Sequence, residues 1–121
     1  MNLKETNIND IRIIYKSEEF EVFYAGLSVN VKKKFDYVFN VVQTVYNIPQ
    51  KFIKKLENTD FYEMRVSIGN NEYRSVLFAI DHENVIESTR IILLNAFVKK
   101  STKDYKKEID KAENILNKLE L

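Results

Sequence analysis

The spacing of apolar and polar positions along this chain changes several times, and each change marks a predicted element. From Asp10 to Lys16 the two kinds of residue alternate weakly, which predicts a short first strand, polar at both ends and suited to a sheet edge. Ser17 then stands as an N-cap before Glu18 and Glu19. Phe20, Phe23, Tyr24 and Leu27 recur at helical spacing around an interruption at Gly26. Ser28 restarts a helix on which Phe35, Val38, Phe39, Val42, Val45 and Tyr46 form one apolar stripe, so a helical hairpin is expected. Pro49 opens a short segment reaching Leu56, with Phe52, Ile53 and Leu56 directed inward and Lys51, Lys54 and Lys55 left in water.

From Phe61 onward the period is that of strands. Three are predicted, Phe61 to Ile68, Glu72 to Ile80 and Arg90 to Val98, each bounded by turn residues. A two-residue turn at Asn70 and Asn71 would set Ser67 opposite Arg74 and make Arg65 and Arg74 diagonal neighbours on one face, with Glu63 and Glu72 beside them. Met64, Val66, Ile68, Tyr73, Leu77 and Ala79 would then share the other face. A last helix begins with the capping-box spacing Ser101-Thr102-Lys103-Asp104. It carries a narrow apolar stripe of Tyr105, Ile109, Ala112, Leu116 and Leu119, fit to pack on the sheet or on a partner. Helices and strands fall in separate runs, which predicts an α+β fold: an N-terminal strand, a helical hairpin, a mainly antiparallel sheet of about four strands and a C-terminal helix.

Composition narrows the chemistry. With 121 residues, 45% of them hydrophobic, one domain spanning 1–121 around a single core is expected. Zero cysteines and one histidine exclude a disulfide framework and leave a metal without its usual ligands, so no cofactor is expected. No run resembles a signal peptide or a membrane span, and the cytoplasm is the expected compartment. The net charge of +1 conceals local basic patches: residues 31–58 hold six lysines against two acids, and residues 99–121 seven against five.

Arg65 and Arg74 on one sheet face, followed by Lys99 and Lys100 at the end of the last strand, form a candidate anion site, since arginine prefers bidentate contacts to phosphate or carboxylate. The plainer reading is a set of surface salt bridges to Glu63 and Glu72. Lys32, Lys33, Lys34, Lys54 and Lys55 make local basic faces, for which solvation is the plain reading. Most of the seven tyrosines and eight phenylalanines must be core. His82 lies in the polar turn Asp81-His82-Glu83-Asn84 and reads as an ordinary turn residue.

The runs Tyr62-Glu63-Met64-Arg65-Val66, Tyr73-Arg74-Ser75-Val76-Leu77-Phe78, Leu93 to Ser101 and Lys107-Glu108-Ile109-Asp110-Lys111-Ala112, in that order and spacing, closely resemble the phage-derived HigB-like branch of the RelE toxin superfamily. Upstream, Val31-Lys32-Lys33-Lys34 and Phe52 to Glu57 are also similar, so the resemblance covers most of the chain. It implies a RelE-like toxin of a type II toxin-antitoxin pair: a metal-independent, ribosome-dependent mRNA endoribonuclease in which the RNA 2′-hydroxyl attacks the adjacent phosphate. It also implies a helix-turn-helix antitoxin as partner, with oligomers forming through it, and contacts to ribosome and mRNA, in which Lys32, Lys33, Lys34, Lys54 and Lys55 would meet RNA phosphates and Tyr73 or Phe97 would stack on a base. Arg74 matches the superfamily's catalytic arginine, Arg65 the basic position on the preceding strand, and Lys99 and Lys100 the closing basic cluster. The chain departs from many relatives at Asn95, where they carry histidine, so acid-base duty must move elsewhere, with Tyr105 a candidate that its stripe also assigns to the core. The competing expectation is a RelE-fold binding module without nuclease activity, either a ParE-like inhibitor of DNA gyrase or an inactive relative retained for antitoxin binding.

Overall fold

A computed structural model describes residues 9–100, 104–119 and 121. In chain order the elements are β1 (Ile13–Lys16), α1 (Glu18–Ala25), α2 (Val29–Thr44), β2 (Ile53–Lys55), β3 (Phe61–Ile68), β4 (Asn71–Ala79), β5 (Arg90–Val98) and α3 (Asp104–Lys118). The α+β expectation holds, with one more strand than anticipated. The sheet order is β1-β5-β4-β3-β2, antiparallel except for β1, which runs parallel to β5 along one edge. The additional strand is β2, three residues inside the lysine-rich segment after Pro49, which pairs with Tyr62 to Met64 at the other edge. The proposed Ser101-Thr102-Lys103 start of the last helix lies outside the described residues.

The helix starts follow the sequence. The Ser17 hydroxyl accepts from the Phe20 amide at 3.0 Å, and that of Ser28 from the Val31 amide at 3.4 Å, so each satisfies an otherwise orphaned N–H. The α1–α2 hairpin covers one sheet face. Phe20, Phe35, Phe39 and Tyr73 interlock there at ring-centroid distances of 5.7 to 6.3 Å, over Met64, Val66, Leu77, Ile91 and Leu93. On the opposite face α3 packs Ala112 and Ile115 against Phe61, Val76, Ile92 and Leu94, with Ile109, Leu116 and Leu119 at the margin.

The β3–β4 register corrects the expected one by two residues. The turn is Gly69-Asn70, with Gly69 at φ 59° and Ile68 opposite Asn71. Glycine at the first central position of a two-residue loop, with positive φ, is the type II′ pattern, which fits the twist of the flanking strands. A shift of two preserves which face each residue occupies, and it makes Arg65 and Arg74 direct cross-strand partners. A bulge on β5 sets Val76 opposite Asn95 but Leu77 opposite Leu93. The extra residue Leu94 therefore joins Asn95 on the α3 face.

Arg12, immediately before β1, is 1% exposed, and all five of its N–H groups reach carbonyls: those of Val42, Val45 and Tyr46 at the C-terminal end of α2, and those of Val85 and Ile86 in the β4–β5 connection. The last turn of α2 contains no basic residue of its own, so Arg12 supplies the cation that the helix end favours. Burial lowers its pKa from the ordinary arginine value.

The same connection is tied by Asp81. Its carboxylate accepts from the Ser88 and Thr89 hydroxyls and from the Thr89 and Arg90 amides, and the Ser88 bond, followed by that of Thr89, holds its pKa well below the usual carboxylate range. A depressed folded pKa gives stability that is complete above the unfolded value, near 4, and lost as pH falls toward the folded value. The Tm difference between the natural chain and Asp81→Asn should thus be full at pH 6 to 7 and shrink steadily below pH 4. Thermal melts across that range check it, and a difference that stays constant with pH refutes the ionic role of Asp81.

Candidate active site

Alternation along the strands puts Glu63 and Arg65 of β3, Glu72 and Arg74 of β4, and Phe97 of β5 on the α3 face, near their ends of the sheet. Arg74 lies at the centre and is 3% exposed. Its Nε donates to the Tyr105 hydroxyl at 3.2 Å, one terminal nitrogen to the Tyr73 carbonyl at 3.0 Å and the other to Glu72 Oε1 at 3.1 Å. Glu63, 4% exposed, lies between the two arginines, with Arg65 Nε 3.3 Å from its Oε1 and Arg74 Nε 3.9 Å from its Oε2. Two guanidiniums facing each other across a strand pair repel, and the buried carboxylate offsets that repulsion.

Tyr105, from the first turn of α3, covers this cluster. Burial comes first in pushing its hydroxyl up to about 12, followed by its hydrogen bond to Glu63 and that residue's charge, with Arg74 pulling the other way. The phenol thus keeps its proton at neutral pH. Phe97 meets the Tyr105 ring edge-on at 5.5 Å, and Lys99 Nζ lies 5.8 Å from the same ring. Glu72 has a lowered pKa, chiefly through its hydrogen bond with Ser67, with Arg74 and then Arg65 adding to the effect.

The structure thus brings together Arg65, Arg74 and Lys99. Lys100 is exposed at the end of β5. The candidate anion site is a closed cluster: Glu72, Glu63 and Tyr105 occupy the guanidinium of Arg74, so the ion pairs to Glu63 and Glu72 form, buried at Arg74 and not at the surface. Tyr73 is not available for base stacking. It points to the other face and is 8% exposed in the hairpin core against Phe23 and Phe35, as strand parity requires for a residue next to Arg74. Lys32, Lys33 and Lys34 fan around α2 instead of forming one patch: Lys32 lies over Tyr24, Lys34 over Tyr37, and Lys33 is exposed. Lys54 pairs with Glu63 in the β2–β3 register and shares its face, whereas Lys55 lies over Tyr62. Asn95 is 5% exposed and turns away from Arg74, donating to the backbone and side chain of Glu108 at 3.0 Å. The ring of His82 accepts from the Asn84 amide at 2.9 Å, the turn role expected of it. It lies in the β4–β5 connection, three residues beyond the end of β4, and belongs to no part of the Arg74 cluster.

Two residues matter more here than their sequence positions indicated. Glu63 is the buried carboxylate of the site, and Tyr105 is its phenol. Glu63 has a sequence signal, an acid alternating with Arg65 on a strand whose other face is wholly apolar. The signal for Tyr105 is obscured by its place on the apolar stripe of α3.

A cluster with a cation-bound phenol, a buried carboxylate and a forked cation has the parts needed to stabilise an oxyanion and move two protons. Comparison with known proteins agrees with the fold. The family described as phage-derived protein Gp49-like matches residues 22–117. A free-state mutant of the E. coli toxin RelE superposes with a TM-score of 0.59 at 15% identity, covering 84% of this chain and 97% of that one. The crystal structure of the isolated E. coli RelE toxin in its P21 form gives 0.49 at 12% identity, covering 83% and 97%. No curated protein matches the sequence.

Proposed function

We propose, from the premise that this chain belongs to the phage-derived Gp49-like family and has a RelE-like fold, that it is the toxin of a type II toxin-antitoxin pair and an mRNA endoribonuclease that acts on ribosomes without a metal. The observation that carries the reading is the Arg74–Tyr105–Glu63 constellation beside Arg65 and Lys99. An RNA phosphate displaces Glu72, the least buried ligand of Arg74, and takes the fork that the carboxylate held. The 2′-hydroxyl attacks that phosphate in line and passes its proton to Glu63. Arg74 and Arg65 hold the charge that develops on the non-bridging oxygens. Tyr105 gives its proton to the departing 5′-oxygen, leaving a 2′,3′-cyclic phosphate and a 5′-hydroxyl. Lys99 and Lys100 hold the flanking backbone, and a helix-turn-helix antitoxin silences the site.

One observation favours the alternative, a non-nuclease binding module: Arg74 is buried and already hydrogen-bonded through each of its three nitrogens. Mapping mRNA 5′ ends after induction, with and without translating ribosomes, separates the two. New ends bearing 5′-hydroxyls inside translated frames are expected, and Tyr105→Phe, which keeps the ring but not the proton, should lower their formation by about 10²-fold. Absence of new ends during growth arrest selects the binding module, and equal cutting of naked RNA removes the ribosome from the proposal.

A further inference from the structure

Outside the Arg74 cluster, a second group of cations and aromatics assembles around the edge of β3. Beyond Ile53 that edge has no strand partner among the described residues, and α2 and the turn after Pro49 lie against it. A hollow of about 240 Å³ results, lined by Lys34, Tyr37, Lys51, Phe52, Arg65 and Ser67. Tyr37 is 53% exposed although it meets Phe52 edge-on at 6.0 Å. Lys34 Nζ lies 5.4 Å from the Tyr37 ring, and Lys51 Nζ lies 5.0 Å from that of Phe52. Three cations and two rings line the hollow, with no carboxylate among them. Its remaining wall is Arg65, which also closes the Arg74 cluster from the other side.

An exposed ring rimmed by cations offers a planar face on which a base can stack while its phosphates meet positive charge. The combination of an aromatic face and a positive rim is how single-stranded nucleic acid is held without sequence preference. The volume suits one planar base and is below the range of drug-sized ligand pockets. We infer that this hollow binds one unpaired RNA nucleotide, its base against Tyr37 and its phosphates between Lys34, Lys51 and Arg65, next to the nucleotide whose phosphate reaches Arg74. The inference rests on the reading of the chain as an RNA-directed toxin. Because Arg65 borders both sites, a strand crossing the β3 edge enters the Arg74 cluster in a fixed direction. An acidic protein segment is the competing occupant; it satisfies the cations but leaves the Tyr37 face without a planar partner.

Binding of a fluorescent, mixed-sequence 2′-O-methyl RNA octamer tests this, since such a strand has no 2′-hydroxyl to react and binding is read apart from cleavage. Tyr37→Ala should weaken binding roughly 5- to 150-fold and Tyr37→Phe should restore it. Lys34→Ala and Lys51→Ala should each flatten the plot of log affinity against log salt by about 0.7. Equal binding by the natural chain and Tyr37→Ala overturns the inference even if the protein cuts mRNA, and full binding with full dependence on Tyr37 sustains it even if no cutting occurs. Should Tyr37→Ala fail to fold, the exposed Lys51→Glu must weaken binding about tenfold at low salt, and unchanged affinity overturns the proposal. No octamer binding by the natural chain at millimolar concentration overturns it too, as does oligoglutamate binding with the same dependence on Tyr37 and Lys51.

Discussion

Induction of the Arg74→Ala chain should leave growth unarrested, with mRNA cutting reduced by about 10²- to 10³-fold. That is the usual loss when one preorganised donor to a developing oxyanion is removed. The size of the effect follows from where Arg74 sits. Its side chain is 3% exposed between Glu63, Glu72 and Tyr105, so no solvent-borne cation can substitute, and Arg65 across the strand is already paired with Glu63. Loss of fold is the confounding outcome, because removing one partner from a buried ionic cluster costs up to about 3 to 5 kcal/mol. Here Arg65 continues to compensate Glu63, which keeps the cost toward the lower end, and thermal melts of the purified variant show whether it is folded. Arg74→Lys keeps the charge and loses the fork, so it should recover part of the stability and little of the activity. Full arrest by a folded Arg74→Ala chain would transfer the function to the surface of the fold and select the binding module.

What the sequence made readable is mostly local. Ser17 and Ser28 announce helix starts because a capping hydroxyl acts within three residues, and the faces of β3 and β4 follow from strict alternation. The exact register was not readable, because Gly69-Asn70 and Asn70-Asn71 are both chemically suited to a two-residue turn and only the φ of 59° at Gly69 decides between them. Strand β2 was hidden because Ile53-Lys54-Lys55 has little strand character of its own and takes its conformation from Tyr62 to Met64. Tyr73 and Arg74 are adjacent, and their opposite fates follow from parity. Tyr105 shows the opposite limit: its place on the stripe with Ile109 and Ala112 says core, yet the phenol extends past the apolar contact to reach Arg74. The hollow at Tyr37 was beyond reach of sequence spacing, since Lys34, Lys51 and Arg65 come from three separate elements.

Arg12 is the strongest case of a residue whose role the sequence conceals, and its replacement should have the largest effect on stability. In sequence it is one cation in a weakly alternating strand; in the fold its guanidinium serves five carbonyls from two segments otherwise joined by apolar packing and by the hydrogen bond of the Tyr46 hydroxyl to Glu87. Arg12→Ala takes from the carbonyls of Val42, Val45, Tyr46 and Ile86 the donor it supplied, leaves Val85 to accept from the Ser88 amide alone, and opens a cavity behind β1. Each buried carbonyl without a donor costs about 1 to 3 kcal/mol, but water can reach the acceptors at Val45, Tyr46 and Ile86, which are only partly buried. The net loss should be about 3 to 5 kcal/mol, which at roughly 4 °C per kcal/mol for a chain of this length lowers Tm by about 12 to 20 °C. Arg12→Lys should recover less than half, because three donors on one ammonium cannot span both the α2 end and the β4–β5 connection. Hydrogen exchange adds the spatial test. Amides of residues 84–89 and of the last turn of α2 should lose protection together in Arg12→Lys while those of β3 and β4 keep theirs, since Arg12 bonds both members of the first pair and neither strand. Separate loss of protection in the two segments, or a Tm within 3 °C of the natural chain, would show that the apolar contacts of Val85 and Val42 and the Tyr46–Glu87 hydrogen bond suffice without the guanidinium.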